Sequence, residues 1–99
     1  MYGTVFQIKV KPGQEQKIVE VFEEWGRERE PKTQGSVVTL LLKPDNKSGE
    51  FVGVAVFKDK ETYTTNANDP EQDNWYRKMR ELIQADPVWN DGEFLYTNI

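Results

Sequence analysis

The sequence predicts an α+β fold, a four-stranded antiparallel sheet with helices on one face. Two observations carry this. The hydrophobic period changes along the chain in the order strand, helix, strand, strand, helix, strand. The two middle strands, Val37-Val38-Thr39-Leu40-Leu41-Leu42 and Phe51-Val52-Gly53-Val54-Ala55-Val56-Phe57, are apolar on both sides. Side chains alternate across a strand. Val38, Leu40 and Leu42 therefore oppose Val37 and Leu41, and Val52, Val54 and Val56 oppose Phe51, Ala55 and Phe57. A strand apolar on both faces has to be covered on both.

The elements follow in order. Tyr2 to Val10 reads as a strand, with Phe6, Ile8 and Val10 on one face and Val5, Gln7 and Lys9 on the other. Lys11-Pro12-Gly13 breaks it. A helix starts near Gln14, with Ile18, Val21, Phe22 and Trp25 as its apolar stripe. Its glutamates lie largely off the stripe, and Arg27 and Arg29 suit the negative end of the dipole. Pro31 is expected to end it. The second strand runs over Ser36–Lys43. Pro44–Glu50 is a polar turn, so the strand Phe51–Phe57 returns antiparallel. Asp59 can cap a short helical segment from Lys60 to about Asn66. Asp69 as N-cap, Pro70 at the first position and Gln72 at the capping-box position open the next helix. That helix is expected to carry Trp75, Tyr76, Met79, Leu82 and Ile83 on one side and to stop before Pro87. Asn90-Asp91-Gly92 reads as a turn and Glu93–Thr97 as the last strand. The order is the split βαβ, or ferredoxin-like, arrangement, expected as one domain over residues 1–99.

The helices cover one face of the sheet only. Four strands of about six residues make a face of roughly 400 Å² in projection, and soluble monomers rarely leave an apolar patch much larger than a few hundred Å² in water. A second copy, packed sheet to sheet about a two-fold axis, is the simplest cover. The competing reading is an open face shielded by loops or the C-terminal tail.

Composition narrows the chemistry. The 99 residues carry a net charge of −4, which argues against a nucleic-acid backbone or an anionic membrane surface. There are no cysteines and no histidines. Disulfides, thiolate metal sites and thiol catalysis are excluded, as are the commonest general base and the commonest zinc ligand. No apolar run approaches the ~18 residues of a membrane span, and no signal segment opens the chain. The cytoplasm is the expected location.

The opening strand followed by Lys11-Pro12-Gly13-Gln14-Glu15, the Phe51–Phe57 strand leading into Lys58-Asp59-Lys60-Glu61, and the closing Pro87-Val88-Trp89-Asn90-Asp91-Gly92-Glu93 together resemble the antibiotic biosynthesis monooxygenase family of dimeric α/β barrels. The resemblance spans nearly the whole chain, and its motifs mark a fold more than a chemistry. It implies a homodimer with a cavity in each subunit between sheet and helices. Some members of that family oxidise phenolic, polycyclic substrates with dioxygen and no cofactor. Others bind and degrade haem through a histidine, which this chain lacks; tyrosine can ligate haem iron, but nothing in the sequence singles out Tyr63 or Tyr76 for it.

Cofactor-free oxygenation of a phenol needs a lost proton, a stabilised anion and a dry pocket. Asn66 and Trp75 are the expected catalytic pair. The Asn66 amide could donate to an oxyanion, and Trp75 could donate through its indole N–H or stack on a planar ring. Tyr63 and Tyr76 are the expected substrate-binding residues. Each has a plainer structural reading: Trp75 and Tyr76 as core, Tyr63 as a helix residue with its hydroxyl in water, Asn66 as the residue ending its helix. Neither a cofactor nor a metal is expected. The leading expectation is a cofactor-independent monooxygenase acting on an aromatic or polycyclic small molecule. The alternatives are a non-catalytic barrel binding a small apolar ligand, and a structural or stress-related barrel with a filled interior.

Overall fold

In the computed structural model, which describes residues 1–45 and 48–99, strand β1 (Tyr2–Lys9) lies inside the sheet, between β3 (Glu50–Phe57) and β4 (Val88–Glu93). Strand β2 (Ser36–Leu42) pairs the outer side of β3, giving the order β2-β3-β1-β4 with every pairing antiparallel. This is the ferredoxin-like sheet the element order predicts. Part of the expected Pro44–Glu50 turn, residues 46 and 47, lies outside the described residues.

Helices α1 (Glu15–Glu24), α2 (Lys60–Ala67) and α3 (Pro70–Arg80) supply the cover. The core forms where Ile18 of α1 and Met79 of α3 meet Phe6, Ile8 and Phe51 of the sheet, with Val10 and Ile83 sealing one end through an isolated bridge. Gly53 sits opposite Phe6 because a Cβ there would run into the Phe6 ring.

Five expectations are corrected. The last strand is Val88–Glu93, not Glu93–Thr97, and Asn90-Asp91-Gly92 lies within it. The turn preference of those residues is local; pairing with β1 from Tyr2↔Glu93 to Gln7↔Val88, aided by a 3.0 Å bond from Asn90 Nδ2 to the Val5 carbonyl, holds them extended. The first helix does not run unbroken to Pro31. After Glu24 it widens into a π turn, Trp25–Arg29, and tightens into a 3₁₀ turn, Glu30–Lys32, that contains Pro31. Proline fits there because the first N–H groups of a helical turn need no internal partner. Helix α3 ends at Arg80, so Leu82 and Ile83 lie beyond it. Its N-cap Asp69 accepts from the Glu71 N–H, but Gln72 closes no capping box; its side chain goes to Trp25 instead. Asn66 lies inside α2, which is followed by Asn68 at φ −94, so no left-handed residue ends that helix.

The opposite face of the sheet carries no helix; Val56 on it is buried and Val52 and Val54 are half-buried, but its edges are exposed. Leu40 is 55% exposed, Leu42 60% and Val88 57%. The C-terminal residues roof only a corner, where the Phe94 ring lies beside Gly3; Leu95 and Tyr96 point into water.

Candidate functional site

A cavity of about 380 Å³ opens between the helix-covered face of the sheet and the three helices, a size typical of small-molecule sites. Phe6 and Thr4 of β1, Ala55 and Phe57 of β3 and Trp89 of β4 form its floor. Even-numbered residues of β1 and odd-numbered residues of β3 reach it because antiparallel register puts them on one side of the pleat. The aromatic walls interlock: Phe22 and Trp75 meet edge to face at 5.3 Å, Trp25 and Trp75 at 6.4 Å, and Phe6 and Trp89 lie 5.0 Å apart.

Asn66, Trp75, Tyr63 and Tyr76 all line this cavity. Trp75 is buried, and its indole N–H donates to the Val21 carbonyl at 2.8 Å. Of the two roles expected for it, the donor is therefore already engaged and the flat ring remains. Tyr63 donates its hydroxyl proton to Asp91 Oδ1 at 3.0 Å. Burial first, then this bond and the Asp91 charge, push the phenol well above its ordinary range. It stays protonated, with oxygen lone pairs available to accept a hydrogen bond. Tyr76 is pushed up by burial first and then by the nearby Asp86 charge, and its ring packs at 6.4 Å from Trp89.

Asn66 holds the polar corner. Its Oδ1 accepts from Arg29 Nη2 at 2.8 Å. Arginine, absent from the candidates that sequence pattern supplied, is buried here in a network that also takes in Gln72, Glu71 and Asp69. Trp25 Nε1 shares Gln72 Oε1 at 2.9 Å. No local signal could have revealed this, since the partners lie 37 to 47 residues apart in the chain. Among the described residues no group of three or more carboxylates could hold a metal ion, and no helix is long and apolar enough to cross a membrane.

A ferredoxin-like domain with an aromatic cavity between sheet and helices defines the class. No protein-family model matches the chain, and no curated protein matches it. Solved structures do. A Caulobacter crescentus protein described as a candidate antibiotic biosynthesis monooxygenase superposes with a TM-score of 0.84 at 15% identity, over 96% of this chain and 90% of that one. SnoaB, a cofactor-independent oxygenase from Streptomyces nogalater, superposes at 0.80 with 19% identity, over 98% and 95%. A Nitrosomonas europaea candidate monooxygenase gives 0.79 at 16%, over 97% and 100%. The chain has the fold of the antibiotic biosynthesis monooxygenases.

Proposed function

We propose that the protein is a cofactor-independent monooxygenase acting on an aromatic or polycyclic hydroxylated small molecule, working as a homodimer in the cytoplasm. The observation that carries this reading is the cavity, whose walls are aromatic and whose polar groups gather at Asn66 and at Tyr63–Asp91. A planar ring system lies between Trp75 and the sheet. Tyr63 accepts a hydrogen bond from a substrate hydroxyl, Tyr76 flanks the ring, and Asn66 donates from Nδ2 to the oxygen that becomes anionic. Dioxygen then meets an electron-rich carbanion or phenolate away from water. With an anthrone, one oxygen atom becomes the new ring carbonyl and the other leaves as water, the substrate supplying all the electrons. The fold shared with SnoaB, itself a cofactor-independent oxygenase, supports the same reading.

The test is oxygen consumption with a panel of quinols and anthrones. Asn66→Ala is expected to lower the rate about a hundredfold, the usual cost of one donor to a developing oxyanion. No uptake with any substrate, together with tight binding of the same compounds, overturns the catalytic reading. It favours instead the non-catalytic ligand-binding barrel, which the engaged Trp75 N–H already suits. An open cavity of this size weighs against a filled structural interior.

The second copy covers the helix-free face that carries Leu40, Leu42 and Val88. At ~25 cal/mol per Å², burying a few hundred Å² of apolar surface contributes several kcal/mol before association costs.

A further inference from the structure

Arg29 is only 8% exposed, and a charge this deep has to be paired. Its carboxylate partners are distant and wet: Asp69 Oδ2 at 3.5 Å and Glu71 Oε2 at 3.4 Å, on side chains 41% and 69% exposed. The shortest bond, 2.8 Å, goes to a neutral group, Asn66 Oδ1. A guanidinium only donates, so it captures the amide oxygen and turns Nδ2, with its two N–H bonds, elsewhere. Asn66 lines both the aromatic cavity and a polar surface cleft that Arg29 itself lines. The amide thus stands between the buried charge and the cavity.

The backbone is built around this contact. Glu30 N–H bonds to the Trp25 carbonyl, five residues back, which makes the π turn. Such turns inside helices recur at functional sites. Here Trp25 Nε1 and Arg29 Nε converge on one atom, Gln72 Oε1, at 2.9 and 3.4 Å. Elsewhere in the cavity the carboxylates are engaged: Asp73 pairs with Arg77 at 3.0 Å and Asp91 accepts from Tyr63. Those groups repel an anion. The Asn66 corner, backed by the Arg29 guanidinium, attracts one.

We propose that Arg29 is a positioning residue: it holds the Asn66 amide with Nδ2 toward the cavity and, with its charge behind that amide, makes this corner bind a hydroxyaromatic ligand as its oxyanion. The inference rests on the function proposed above and adds the protonation state in which the ligand is held and the residue that sets it.

The probe is 2-hydroxyanthraquinone, whose visible band moves on ionisation, with anthraquinone as its hydroxyl-free control. Binding is followed by quenching of Trp25, Trp75 and Trp89, all of which line the cavity. On the parent protein the bound probe is expected to ionise about one pH unit or more below the free probe, equivalent to tenfold tighter binding of the anion. Arg29→Met and Asn66→Ala are expected to abolish the shift, with anthraquinone binding still detectable by tryptophan quenching. Arg29→Lys keeps the charge but cannot fork across Asn66 and Gln72, and is expected to keep less than half the shift. If Arg29→Met does not fold, judged by circular dichroism, Arg29→Lys decides. A folded Arg29 variant with the full shift makes the residue a structural clamp and overturns the proposal. A parent protein that binds both compounds without any shift overturns it while leaving the cavity reading intact. If neither compound binds, both readings fall.

Discussion

The two faces of this sheet are built from the same strands and differ in what lies over them. On one, Phe6, Ile8, Phe51 and Phe57 are buried beneath three helices; on the other, Leu40, Leu42 and Val88 stay more than half exposed. Both faces are comparably apolar in sequence. The first is closed by the chain itself and still keeps an internal cavity. The second lacks a lid, and the cost of leaving it in water is the physical reason for expecting a second copy. Helix cover comes from segments adjacent in the sequence, whereas the proposed sheet-to-sheet cover would come from a second molecule.

The sharpest way to break this contrast is to charge the helix-free face. The parent protein is expected to sediment near twice 11.6 kDa, and Leu40→Asp to sediment as a monomer with its helical circular dichroism intact. A parent monomer at micromolar concentration removes the argument for the second face.

On the closed face the largest cost falls on stability. Met79, 1% exposed, packs between α3 and the sheet, and Met79→Ala is expected to lower unfolding free energy by about 2–5 kcal/mol in urea titrations. Trp75→Phe replaces the indole by a smaller phenyl ring and loses the bond to the Val21 carbonyl. The unpaired carbonyl alone is expected to cost about 1–3 kcal/mol.

The smallest effect is a pH dependence. The folded state binds the Tyr63 proton more tightly than the unfolded chain, because the phenol is pushed up from 10.0 by burial first and Asp91 second. The unfolded chain therefore loses that proton first as pH rises past the ordinary tyrosine range, and stability declines there. Between about pH 8 and about pH 11 the parent is expected to lose more stability than Tyr63→Phe. Equal losses would mean that neither the burial of Tyr63 nor its bond to Asp91 persists in solution.

Much of the fold was legible in the residues. Period-two and period-3.6 patterns depend on the backbone alone, so element order, the two-sided strands and the Asp59 and Asp69 caps could be read directly. So could the membership of the cavity wall, since Tyr63, Asn66, Trp75 and Tyr76 sit on helices that had to pack on the sheet. The last strand could not, because its turn-forming residues are held extended by pairing with β1, some 85 positions away.

What the sequence by itself determined is which surfaces are apolar and in what order the elements come, because both follow from local geometry and side-chain chemistry. Only the tertiary structure decided how polar groups are used: that Trp75 gives its N–H to Val21, that Gln72 leaves its helix cap for Trp25, and that Arg29 is buried against Asn66. Burial is non-directional and can be read from composition and period. A hydrogen bond needs a partner within about 3 Å, and the fold alone brings those partners together.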